Sequence, residues 1–103
     1  MEFTQKELYQ LINLANRPLW LVGADLSGAN LSRAGLQDAD LAWSNLQGAD
    51  LRGADLESAS LRSANLSGAD LRNANLKNAN LEGANLEGAR LQGATMPDGR
   101  TYY

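Results

Sequence analysis

From Ala24 to Trp43 the chain reads ADLSG ANLSR AGLQD ADLAW, and the same unit, Ala-Asp/Asn-Leu-X-X, continues to Thr95. Leucine falls at every fifth position from Leu21 to Leu91, and Met96 extends the series. Alanine stands two places before each leucine from Leu26 onward, except at Ser44. A period of five suits neither regular element. On an α-helix, steps of about 100° carry every fifth side chain about 140° around, scattering the leucines over all faces. On a flat strand an odd period sends successive leucines to opposite faces. The period closes only if each unit forms one straight side and then turns a corner. Stacked coils of this kind put backbone over backbone at about 4.8 Å. The result is a solenoid in which each repeat buries its apolar face against its neighbours.

Four sides per coil or three must then be weighed. Gly28, Gly48, Gly68 and Gly88 recur at a spacing of twenty, whereas a spacing of fifteen collects only Gly53, Gly68 and Gly83. Glycine two places after the leucine suits the positive φ of a type II turn. The column of four favours four sides. The corners at Asp38, Ser58, Asn78 and Asp98 lack glycine and are expected to need a different turn.

Units such as ADLRGADLES (49–58) and ANLKNANLEGANLEG (74–88) resemble the pentapeptide repeat family, and the match covers residues 19–98. The resemblance implies a right-handed quadrilateral β-helix with leucine and the preceding alanine inside and the other three positions outside. Members abound in cyanobacteria, and most have no assigned activity. The expected fold class is therefore an all-β solenoid: a right-handed quadrilateral β-helix of about four coils with a short N-terminal capping α-helix. The expected organisation is a capping helix and linker over 1–18, the β-helix over 19–98 and a tail over 99–103.

Composition bounds the function. The 103 residues carry a net charge of −3 and 20% charged side chains, which lacks the basic footprint of a nucleic-acid binder. There is no cysteine and no histidine, so no disulfide framework, no thiolate and no imidazole base or ligand. Residues 1–10 lack the basic and apolar regions of a signal peptide, and no apolar run approaches the ~20 residues of a membrane span. The expectation is a cytoplasmic protein without cofactor, metal, membrane or direct nucleic-acid contact.

Residues 1–18 differ in kind. Thr4-Gln5-Lys6-Glu7 is a capping box, and Phe3 and Leu8 stand where a hydrophobic staple would. Leu8, Leu11, Ile12 and Ala15 form one apolar stripe, and Asn16 and Pro18 close the segment. The pattern predicts a helix over 5–15. Its plain role is to cover the open end of the coil stack; a docking role for another protein is the alternative.

Function has to be written on the exterior. With four sides, Trp43 shares a side with Trp20, Leu21, Val22 and Ala42. Tryptophan anchors interfaces, but both could instead form a floor beneath the helix. Arg52 and Arg72 stack beside Asp50 and Asp70 with Arg90 above, an ion-paired face rather than a phosphate site. Asn45, Asn65 and Asn85 form a column expected to share side-chain ladder hydrogen bonds. The glycine spacing of a phosphate loop at 23–28 and 48–53 lacks the Gly-Lys-Ser/Thr that would follow, and the period alone produces it. Asn30-Leu31-Ser32 and Asn65-Leu66-Ser67 match a glycosylation acceptor through the repeat. Carboxylates such as Asp40, Asp55, Glu57 and Glu82 lie along convex walls, so no catalytic residue is identified.

The tail, 95–103, breaks the pattern. Pro97-Asp98-Gly99 reads as a turn, after which Tyr102 and Tyr103 either fold over the last leucines or meet a second copy end to end. Three functions compete. A non-catalytic protein-interaction module would use Trp20, Trp43, Tyr102 or Tyr103. A DNA mimic acting on a topoisomerase such as DNA gyrase, as the resemblance allows, wants a long, strongly acidic rod; here nine acidic and six basic residues mix between Ala24 and Thr95. An enzyme lacks the residues it would need. The interaction module is the expected function, as a monomer or an end-to-end homodimer.

Overall fold

The computed structural model describes residues 4–14 and 19–103. Every bridged residue from Trp20 to Asn75 pairs in parallel with the residue twenty later, as in Asn45 with Asn65 and Asn65 with Asn85. A coil therefore contains four units. The three-sided arrangement is excluded. We number the sides by their leucines: the first carries Leu21, Leu41, Leu61 and Leu81, the second Leu26 onward, the third Leu31 onward and the fourth Leu36 onward.

The unit 64–68 shows why the repeat has this composition. The Ala64 N–H closes a turn on the Leu61 carbonyl (3.0 Å). The Asn65 N–H reaches the coil below at the Ser44 carbonyl (2.9 Å), while Leu66 and Gly68 donate to Asn85 and Glu87 in the coil above (2.8 and 2.9 Å). One amide is left, that of Ser67, and the Asn65 side-chain oxygen accepts it (3.0 Å). All five amides are thus satisfied, as backbone buried in a coil wall requires. The same local bond recurs at Asp25, Asp40, Asp50, Asn75 and Asn80 among others. Asp and Asn interchange here because only one carbonyl-type oxygen is used. This corrects the expected ladder: the oxygens of Asn45, Asn65 and Asn85 bind amides of their own units, at Gln47, Ser67 and Glu87.

The corners also depart from expectation. Asp38, Ser58 and Asn78 take the same left-handed backbone as the glycines (φ 59, 60 and 62). Every corner from Gly23 to Gly93 does so, and after Pro97 the left-handed residue is Gly99. One turn type therefore serves all four edges, because each corner must close the same 2.8–3.1 Å bond, as at Ala34, Ala39 and Ala94. Among the described residues no strand of several consecutive residues forms. A turn every five residues leaves each side room for a single bridge.

The core is a column. Leu26 to Leu76 are each no more than 2% exposed, and each such burial contributes about 1.5–3 kcal/mol. Ser44, in an alanine position, is equally buried, and its hydroxyl has no partner among the described residues.

Helix α1, Gln5–Leu14, covers the first coil. Its capping box is formed: Thr4 N–H donates to Glu7 Oε1 (3.0 Å) and Glu7 N–H to Thr4 Oγ1 (3.1 Å). That pair of bonds holds the Glu7 carboxyl below its ordinary pKa. Leu8 is fully buried and Ile12 packs on the core, but Leu11 is exposed, so the buried stripe is narrower than the periodicity suggests. Phe3, Ala15, Asn16 and Pro18 lie outside the described residues. No described helix is long and apolar enough to cross a membrane.

At the other end the tail turns back as a hairpin. Thr101 pairs antiparallel with Thr95, and Tyr102 exchanges backbone bonds with Gly93 and Ala94 (2.8 Å each). Leu81, Leu86, Leu91 and Met96 stay partly exposed, because the hairpin covers only the edge between the third and fourth sides.

Candidate functional site

Trp20 and Trp43 lie on the first side, one coil apart. The Trp20 backbone bridges Asp40, and Gly23 N–H bonds the Ala42 carbonyl (2.9 Å), so Trp43 sits one coil above Gly23. Both rings face solvent, at 83% and 67% exposure, with Val22 half-exposed between them in sequence. Neither forms a floor for α1. Among the described residues the helix docks instead through Leu8 and through Gln5 on the third side. Trp43 occupies a corner, with φ 62. A bulky aromatic there is strained, because its Cβ crowds the backbone in a conformation glycine adopts freely. Ser44, the next residue, carries the unpaired buried hydroxyl. Two neighbouring departures from the repeat rule thus lie beside an exposed apolar patch.

The tyrosines lie apart from this patch, at the far end. Tyr102 is half-exposed and Tyr103 almost wholly so, and backbone bonds hold the tail. Val22 and Ser44 were not singled out as site residues from sequence. The signal was available, since Val22 stands where polar or charged residues, or Ala42, stand in the other leucine units, and Ser44 interrupts a column of alanine.

The third side is ordered by charge. Arg52 and Arg72 each fork onto the aspartate of their own unit, Nε to Oδ1 at 2.9 Å and Nη2 to Oδ2 at 2.7 Å. These bonds lower the pKa of Asp50 and Asp70 and raise those of the arginines. Arg52 also stands 4.0 Å from Asp70, linking two coils. Among the described residues no group of His, Cys, Asp and Glu could hold a metal ion.

Comparison with known proteins agrees with this geometry. Pentapeptide repeats, in 8 copies, are recognised over residues 20–48, 39–78 and 64–98. The chain is 40% identical to the pentapeptide repeat protein Rfr23 of the cyanobacterium Cyanothece 51142, with a TM-score of 0.76 over 82% of this chain and 57% of that one. To a pentapeptide repeat protein of the Arabidopsis thaliana thylakoid lumen it is 37% identical, TM-score 0.78, over 100% of this chain and 65% of that one. HetL, involved in heterocyst differentiation regulation in Nostoc sp. strain PCC 7120, is 45% identical, TM-score 0.53, over 81% of this chain and 40% of its own. The chain thus spans less than two thirds of each of these relatives. No curated protein matches it significantly. With its repeats recognised from residue 20 to residue 98 and pairing in a register of twenty, the chain belongs to the pentapeptide repeat family.

Proposed function

We propose that the protein is a non-catalytic interaction module, built on the right-handed quadrilateral β-helix of its family, that docks a protein partner on its first side. One observation carries the reading: Trp43 is exposed yet held in a left-handed backbone that a glycine would occupy without strain. Strain kept at an exposed aromatic points to a role outside the fold, and tryptophan is the residue type most enriched among interface anchors. Trp20 and Val22 extend the anchor into a patch.

The test is Trp43→Gly beside Trp43→Glu, read by thermal unfolding and by retention of partner protein from a lysate of the source cells. The expected result is that Trp43→Gly gains about 1 kcal/mol of stability while both variants lose the partner retained by the parent protein. A glycine variant that is less stable, or that keeps the partner, would overturn the reading. DNA mimicry is disfavoured by charge, since the third side carries four arginines against two aspartates and its surface is not uniformly acidic. Retention of DNA gyrase subunits in the same experiment would restore that alternative.

A further inference from the structure

Among the described residues the first coil has no coil beneath it, and the repeat's bonding pattern states which groups this leaves open. In every higher coil the residue before leucine donates its N–H downward and accepts from below at its carbonyl, as Asp50 does with Ala29 and Leu31 (2.9 and 2.7 Å). On the third side Asn30 lacks that lower neighbour, and the Gln5 side-chain amide stands in for it. Gln5 Nε2 donates to the Asn30 carbonyl (2.8 Å) and the Asn30 N–H donates to Gln5 Oε1 (3.1 Å). A primary amide thus imitates one peptide group of an absent strand.

Further along this edge no described residue does the same. The Ser32 carbonyl, the Gly35 N–H and carbonyl, and the Gln37 carbonyl have no partner among the described residues. Ser32 and Gly35 border a groove of about 770 Å³ between α1 and the third side, with Ile12, Leu31 and Ala34 on its apolar wall. Arg33, Arg52 and Arg72 line it as well. Arg52 and Arg72 are each paired within their own unit, but Arg33 makes no ion pair among the described residues. The Arg33 side chain leans over Gly53, where its Cγ lies 3.4 Å from the position of an added Cβ. Charge is segregated by side: the third holds Arg33, Arg52, Arg72 and Arg90 against Asp50 and Asp70, whereas the fourth holds Asp38, Asp55, Glu57 and Asp98 against Lys77.

We propose that this groove accepts an extended acidic peptide, which adds itself as a strand beneath the first coil at Gly35 while its carboxylates meet Arg33 and its neighbours. An unpaired sheet edge is a template for an added strand, whose backbone bonds give affinity and whose side chains give selectivity. The Gln5 amide shows the mode of binding one step along the same edge. Arginine is suited to the acidic partner because its planar fork takes carboxylates in pairs. The site is separate from the tryptophan patch and stands or falls independently of it.

The test uses a labelled, end-capped peptide alternating glutamate and valine, with a lysine–valine peptide as control, followed by fluorescence anisotropy and by the Gly35 amide resonance. Saturable binding of the acidic peptide alone is expected, weakened by salt, with the Gly35 amide protected from exchange in the complex. Arg33→Gly should weaken binding about tenfold while the melting temperature holds or rises, because its left-handed backbone suits glycine (φ 60). Gly35→Pro, which removes the N–H that the added strand would accept, should weaken it to a similar degree. The proposal is overturned if neither peptide or both peptides bind alike. It is also overturned if Arg33→Gly binds normally, or if the Gly35 amide is unchanged at saturation.

Discussion

At the scale of single residues, two positions break the repeat's rules at a cost. Ser44 places a hydroxyl in the alanine column with nothing to bond, and an unsatisfied buried group of this kind costs about 1–3 kcal/mol. Ser44→Ala is therefore expected to raise the unfolding free energy by at least about 1 kcal/mol in urea titration, with the slope unchanged. A loss of stability would mean that the hydroxyl has a partner in solution. The neighbouring Trp43 contributes strain of a different origin, in the backbone rather than in solvation. Neither cost was legible in the sequence, which shows which residue departs from the pattern but not its φ or its hydrogen bonds. Asp38, Ser58 and Asn78 taught the opposite lesson. Their short polar side chains tolerate the left-handed region, so the absence of glycine did not mean a different corner.

At the scale of elements, one described side chain, Gln5, ties the helix to the coil end by hydrogen bonds. Gln5 makes two bonds to the Asn30 backbone from the first residue of α1, while Leu8 is the helix's fully buried contact with the core. Gln5→Ala should cost about 1 kcal/mol and free the start of the helix, seen as faster amide exchange in α1 and at Asn30 with the coil unaffected. Exchange that accelerates throughout the molecule would show the helix to be part of the same cooperative unit. The capping box was readable because its chemistry is local, four consecutive residues satisfying one another. The Gln5 contact was not, because it spans 25 positions and depends on which carbonyl lacks a coil beneath it. The same holds for the hairpin at Thr101, whose pairing follows from an edge left open rather than from any motif.

At the scale of the whole molecule, the repeat's period was sufficient to give the solenoid, and the register of twenty settled the number of sides. The ladder of paired charges on the third side sets how stability follows acidity. Hydrogen bonds from Arg52 and Arg72 hold Asp50 and Asp70 below their ordinary pKa of about 4. A carboxyl with a lowered folded pKa stabilises the fold above its unfolded value and loses that contribution as pH falls through the folded one. Stability should therefore be level with respect to these groups at neutral pH and decline below about pH 4. Asp50→Asn with Asp70→Asn should flatten part of that acid limb in urea midpoints measured against pH. An unchanged limb would assign it to other carboxylates. The two periods also have a consequence for how such a chain tolerates insertion and deletion. The interior counts in fives, so losing one unit returns every later leucine and alanine to the axis. The exterior counts in twenties, so the same loss turns everything beyond it by a quarter revolution. Gain or loss of one unit between Gly23 and Trp43 would leave the core intact while carrying the two tryptophans to different walls. Length can thus drift in small steps without unfolding the protein, but the pattern on its surface is preserved only when a whole coil is added or removed.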